Sequence, residues 1–308
     1  MELFRKKTNI DFVGKKKYAF TFSALLILIT IASLVVHGGP RYGIDFAGGV
    51  LMRVKFSQPV TAAEVKDKLK SVHMGDSLVQ EFEEKGQPEF LIHYSELDVD
   101  IEHAEKPLKQ ALSDGFGKDT FEVRQVETVG PKVGKDLRQK GLWAVMLSWM
   151  LMLIYVSLRF EFGFGLGGIM ALVHDVAVTV GAFSLTNKEI DLTIIAALLT
   201  IVGFSINDTI VIFDRVRENR RKYNEPISQL INRSVNETLS RTFITTGTLL
   251  MAVLALYIFG GSVIHNFAFA MLVGCISGTY STLYIATPFV IYWDHFTAKK
   301  RAGRKPVK

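Results

Sequence analysis

Residues 242–293, TFITTGTLLMAVLALYIFGGSVIHNFAFAMLVGCISGTYSTLYIATPFVIYW, contain no Asp, Glu, Lys or Arg. A bilayer core of roughly 30 Å takes about 20 apolar residues as a helix, so this stretch holds two spans, Phe243–Phe259 and His265–Trp293, around a Gly-Gly break. Working back toward the N-terminus, Tyr18–Val36 is equally free of charge, and between Gly141 and Phe213 the charges are confined to Arg159, Glu161, Asp175, Lys188, Glu189, Asp191 and Asp208. That region divides into Leu142–Leu158, Phe162–Thr186 and Leu192–Phe213. A soluble chain spreads its charges because every helix or strand needs a wet face. With 49% hydrophobic and 21% charged residues so sharply segregated, the chain reads as an α-helical polytopic membrane protein with six transmembrane helices. A simple soluble enzyme and a disordered chain are excluded.

Lys and Arg near the helix ends set the orientation. They cluster in residues 1–17 (Arg5, Lys6, Lys7, Lys15, Lys16, Lys17), in the loop 214–241 (Arg215, Arg217, Arg220, Arg221, Lys222, Arg233, Arg241) and in the tail 294–308 (Lys299, Lys300, Arg301, Arg304, Lys305, Lys308). An even number of spans puts these three segments on one side, so both termini are expected to be cytoplasmic. The formal net charge of +6 therefore sits beside anionic lipid, and no nucleic-acid partner is implied. The first span, residues 18–36, follows basic residues as a signal peptide does. Its apolar run is longer than a signal's, and Val35-Val36-His37 is a poor cleavage site, so it reads as a retained anchor. Cys275 is the one cysteine and can form no internal disulfide. The sequons at Asn207, Asn232 and Asn236 fall in the membrane or on the cytoplasmic side, where they carry no glycosylation meaning.

Residues 37–140 lie between the first span and the bundle 141–293, on the opposite face from the termini. Here the pattern changes. Val50–Phe56 alternates as a strand. Thr61–Val72 begins with a Thr N-cap and Glu64 at the third helical position, a capping box. Ser77–Glu83 and Glu89–Tyr94 read as strands across the turn Glu84–Pro88, Ile101–Leu112 as a helix weakened by Pro107, and Phe121–Thr128 as a last strand. The order βαββαβ predicts an α+β ferredoxin-like extracytoplasmic domain. His73, His93 and His103 have no metal-ligand spacing, so a docking role fits better than catalysis. Pro226–Ser240 places Ile227, Leu230, Ile231, Val235 and Leu239 on one helical face, which predicts an amphipathic helix lying in the membrane interface.

Gly163, Gly165 and Gly168 match a dinucleotide-binding spacing, but a membrane span precedes them instead of a strand. Gly163-x-x-x-Gly167 and Gly274-x-x-x-Gly278 fit close helix packing. No P-loop and no zinc-protease motif occurs, so no enzyme and no cofactor or metal is expected. The informative residues are ionisable groups inside the membrane, which are costly and usually face a bundle interior. His174 and Asp175 lie near the middle of the third span. Asp208, beside Asn207, lies about 9 Å inside the cytoplasmic end of the fourth at 1.5 Å per residue. Arg241 enters the fifth span at a similar depth, followed by Thr242, Thr245, Thr246 and Thr248. These residues fit either a structural ion pair or a proton or ion relay.

The run Gly203–Asn219, GFSINDTIVIFDRVREN, resembles the signature of the SecF subunit family of the bacterial protein-translocation machinery. DFVGKKK at 11–17, GIDFAGG at 43–49, VGPKVG at 129–134, the His174-Asp175 pair and LSRT at 239–242 agree in order; Ala47 and Val50 depart from the Thr residues expected in the GIDF block. The resemblance spans nearly the whole chain. It implies a SecD partner with a similar six-span half, the pair being RND-like, located in the bacterial inner membrane and working with the SecYEG channel and SecA on unfolded preproteins. It maps the family's proton relay onto Asp208 and Arg241, with His174, Asp175 and Asn207 as relay or assembly support, and the coupling ion as proton or sodium. The competing readings are an RND-like exporter of lipids or small molecules, which usually carries two such repeats in one chain, and an intramembrane hydrolase at His174 and Asp175, which would lack a nucleophile.

Overall fold

The computed structural model describes residues 8–71, 74, 77–84, 87–94 and 105–302. His73, His103, Val72, the first residues of the helix expected from Ile101 and the outer basic residues of both tails lie outside the described residues.

The chain opens with α1 (Lys16–Val36) and a short helix α2 (Ile44–Ala47), then runs β1 (Gly49–Phe56), α3 (Ala62–Ser71), β2 (Leu78–Glu84), β3 (Gln87–Tyr94), α4 (Glu105–Phe116) and β4 (Phe121–Val129). The strands form one antiparallel sheet in the order β2-β3-β1-β4, the ferredoxin-like arrangement. Alternation in β1 buries Val50, Met52, Val54 and Phe56 against Val65 and Leu69 of α3 and Leu108 and Leu112 of α4. Leu51, Arg53 and Lys55 point the other way, the period-two consequence of the pleat. The capping box is present: Glu64 N donates to Thr61 Oγ1 at 3.3 Å and Thr61 N to Glu64 Oε2 at 2.8 Å. The Thr61 N–H and, at 3.0 Å, the Thr61 hydroxyl both donate to Glu64 Oε2 and hold the carboxyl below its ordinary range. Pro107 falls in the first turn of α4, where a missing N–H costs nothing.

The remaining helices are α5 (Pro131–Arg159), α6 (Phe162–Leu185), α7 (Leu192–Lys222), α8 (Ile227–Phe259), α9 (Gly261–Ser281), a π-helical turn at Thr282–Ala286 and α10 (Thr287–Ala302). Six helices are long and apolar enough to cross a membrane, the last running through the π turn from Val263 to Lys299. The chain is a multi-pass membrane protein. α6, α7 and the last span are the central helices, whereas Leu25, Leu28, Leu147, Leu151, Leu254 and Phe259 on the outer spans present bare apolar surface. Close packing explains the small residues. A Cβ at Gly163 would collide with Trp293, one at Gly167 would lie 2.8 Å from the Ala286 carbonyl, and one at Gly274 would collide with Ile201.

Two differences from the sequence reading concern residues 214–241. This segment is mostly helix rather than loop: α7 runs to Lys222, α8 starts at Ile227 and only residues 223–226 connect them. Intrahelical hydrogen bonds do not stop at a membrane surface, and ion pairs such as Lys222–Glu218 and Arg215–Glu237 hold the projecting ends. The amphipathic face of residues 226–240 is also not turned to lipid. Ile231, Val235 and Leu239 are buried in the protein core with Phe12, Phe213 and Val216. Asn232 Oδ1 accepts the Phe12 N–H at 2.9 Å, and Asn236 exchanges two bonds with the Ile10 backbone at 2.8 and 2.9 Å. These two sequon asparagines therefore tie down the N-terminal segment. Periodicity reveals an apolar face but not what covers it.

Candidate functional site

Helix α7 carries the site. Asp191 caps it, accepting the Ile194 N–H at 3.0 Å, and Asp45 from α2 accepts the Leu192 N–H at 2.9 Å. Burial and the neighbouring Asp45 charge lift the Asp191 carboxyl above its ordinary range, against the pull of its hydrogen bonds. From this start the 3.6-residue period stacks Ile201, Ser205, Asp208, Thr209 and Ile212 on one buried face. Asn207 falls on the opposite, exposed side, so the structure does not bring it to Asp208.

Asp208 is 2% exposed. Thr245 of α8 reaches its Oδ1 at a long 3.5 Å. The same Thr245 hydroxyl lies 3.0 Å from the Arg241 carbonyl and 3.1 Å from that of Thr242. One hydroxyl carries one proton, so Asp208 receives at most a shared bond. Its Oδ2 has no partner among the described residues. Arg241, one helical turn before Thr245, is exposed and acts on Asp208 electrostatically; no direct ion pair joins them among the described residues.

A second carboxylate, Asp175 of α6, is fully buried and is held very differently. Its Oδ1 accepts the Ser277 hydroxyl at 2.7 Å, and its Oδ2 accepts Ser205 at 2.7 Å and Ser281 at 2.8 Å. Donors thus arrive from α7 and α9. His174 Nδ1 lies 3.5 Å from both Asp175 Oδ1 and Ser277 Oγ, while its Nε2 has no partner among the described residues. Directly after Ser281 the helix widens into the π turn, where Thr282 meets Thr209 of α7 at 2.9 Å. The three serines escaped the sequence reading because serine is common at packed helix contacts. The signal was their spacing: Ser277 and Ser281 are four apart, and Ser205 precedes Asp208 by three.

The sheet domain touches α7 at its start. Ile190, just before α7, pairs with Arg41 and Gly43 through backbone bonds of 2.8 and 3.0 Å. His93 of β3 bonds Glu189 at 2.7 Å. Phe46 of α2 is buried against Ile190 and Ile194, and Gly48, at φ +79°, sits where a Cβ would lie 2.9 Å from Pro131 at the head of α5. The GIDFAGG and VGPKVG blocks are thus the joint between domain and bundle.

Residues 109–295 match the family described as protein export membrane protein SecD/SecF, C-terminal, and residues 33–60 match the SecD/SecF GG motif, the block at that joint. The chain belongs to the SecD/SecF family. It is 42% identical to the protein translocase subunit SecF of Magnetococcus marinus over 98% of both chains, and 40% identical to that of Vibrio alginolyticus over 94% of this chain and 91% of the other. Among solved structures, it is similar to SecDF of Thermus thermophilus, a translocon-associated membrane protein, at TM-score 0.83 and 35% identity. That match covers 95% of this chain and 40% of the SecDF chain. Its likeness to SecDF in a super-membrane-facing form has TM-score 0.70. In this family member the motif run Gly203–Asn219 is the central part of α7, with Asp208 on its buried face.

Proposed function

We propose that this chain is an accessory subunit of the bacterial Sec preprotein translocase in the inner membrane, with both termini cytoplasmic. In this reading it pairs with a SecD-type subunit, which would supply the rest of a SecDF-like assembly. Together with the SecYEG channel and SecA they use ion flow across the membrane to move unfolded preproteins outward. The observation that carries the reading is Asp208, a buried carboxyl with one oxygen unpartnered among the described residues and the other weakly held, within electrostatic reach of Arg241.

The mechanism follows from that asymmetry. Charged Asp208 is attracted to Arg241 and draws the middle of α7 toward the middle of α8. On gaining a proton it loses that attraction, and the two helices are free to change packing. Because α7 begins at the joint with the sheet domain, a shift along it reaches Asp45, Ile190 and the His93–Glu189 contact. Moving one elementary charge across 100 mV supplies roughly 2.3 kcal/mol, enough to bias two packings separated by a similar amount. Asp175 and its serines keep α6, α7 and α9 in register while this happens.

Two measurements test the reading. The full chain, purified from its native membrane, should bring down a SecD-type subunit. Preprotein entry into vesicles carrying the complex should be faster with an imposed ion gradient than without. Equal rates with and without the gradient would overturn the coupling.

A further inference from the structure

We propose that Asp175, Ser205, Ser277 and Ser281 form a binding site for a small monovalent cation of sodium's class. Five oxygens from three helices converge there: the two carboxylate atoms and three hydroxyls, each within 2.8 Å of the carboxylate. All four residues are buried. Hard oxygen donors of this kind suit hard cations. A site carrying one negative charge becomes neutral with one positive charge, whereas a divalent ion would leave an uncompensated charge in the membrane interior, which is costly.

The hydroxyl protons decide whether such a cluster can change from donors to ligands. To face a cation, a serine must turn its proton elsewhere. Ser281 has the Gly278 carbonyl at 3.2 Å, and Ser277 has Nδ1 of His174 at 3.5 Å. Two of the three serines therefore have a second acceptor in place. This assigns Nδ1 of His174 a role as the acceptor that frees Ser277. Gly278 lets Ser205 come close, since a Cβ there would sit 3.1 Å from Ser205 Cβ and 3.3 Å from its Oγ. The π turn immediately after Ser281 breaks regular α-helical register beside the cluster, as π-bulges often do at functional sites. An ion entering between α6, α7 and α9 draws these helices together.

The proposal deepens the ion-coupled reading and rests on it for the work the ion does. Binding itself is measured without translocation, so the two can fail separately. The probe is sodium chloride, titrated against choline chloride at constant ionic strength, with potassium chloride as a size control. The readout is the thermal unfolding midpoint of the full chain in detergent. A ligand that binds the folded state raises the midpoint in proportion to the logarithm of its concentration once above its dissociation constant. The expected result is a sodium-specific rise that turns logarithmic in sodium concentration and is absent in potassium and choline chloride. Ser277→Ala and Ser281→Ala, which each leave Asp175 two hydroxyl donors, should shift the sodium dependence to concentrations higher by at least about tenfold. Asp208→Asn should leave it in place. The same midpoint in all three salts overturns the proposal. So does a sodium response that survives both serine substitutions, or one lost in Asp208→Asn alone.

Discussion

The molecule buries two carboxylates in its membrane bundle and treats them oppositely. Asp175 accepts three short hydroxyl bonds from two other helices. Asp208 shares one long bond from Thr245, and its Oδ2 has no partner among the described residues. Hydrogen bonds to an ionised carboxylate are the stronger kind, and a carboxylate that has them is stable where it stands. Among the described residues Asp208 has only the shared Thr245 hydroxyl and the distant guanidinium of Arg241. The comparison teaches that burial alone does not fix how an acid is held. What matters is how many donors the surrounding helices commit to it.

Substitution should separate the two by what is lost. The largest effect on folding is expected from Asp175→Leu, which strips three buried hydroxyls of their acceptor and should lower stability by about 3 kcal/mol or more. Thermal unfolding of the purified chain measures this, and Asp208→Leu should cost clearly less because it removes only one shared bond. Equal losses would erase the distinction. Next, Gly274→Leu forces a side chain into Ile201 at the α7–α9 contact and should cost about 1–3 kcal/mol, read in the same way.

How much of this was legible in the sequence differs between the two regions. The spans follow from the distribution of charge, and the sheet from alternation such as that of Val50, Met52, Val54 and Phe56. Asp208 stood out because an acid in an apolar run has few innocent explanations. The cage around Asp175 did not, because a serine in a membrane helix satisfies its own helix carbonyl as readily as a distant carboxylate. Only the packing of α6, α7 and α9 brings the four residues together. Residues 226–240 show the same limit: their apolar face was plain, but the N-terminal segment that covers it is more than 200 residues away in sequence, as the Phe12–Asn232 bond shows.

Smaller effects sharpen the contrast at the joint with the sheet domain. Thr61→Ala removes the cap of α3, far from either carboxylate, and should cost about 1 kcal/mol without altering ion-dependent behaviour; a change in gradient response would mean the domain is coupled more tightly than the joint suggests. Asp191→Asn should be the mildest, within about 0.5 kcal/mol near neutral pH, since Asn also caps helices well. The sign of its pH dependence is fixed by burial. The folded state holds the Asp191 proton more readily than the unfolded chain does. Its contribution is therefore most favourable at low pH and declines as pH rises from the ordinary carboxyl value of 3.8 through the lifted one. In Asp191→Asn that part of the pH–stability profile should flatten.

The central claim is that Asp208 works by gaining and losing a proton, and its most direct test is gradient-driven preprotein translocation by Asp208→Asn in vesicles carrying the assembled complex. Asn keeps the size and polarity of the side chain and cannot ionise. The account predicts normal expression and partner binding, with the gradient-dependent part of the rate abolished and the gradient-independent part kept. Full gradient-driven translocation by Asp208→Asn would contradict it and leave Asp208 as a structural residue.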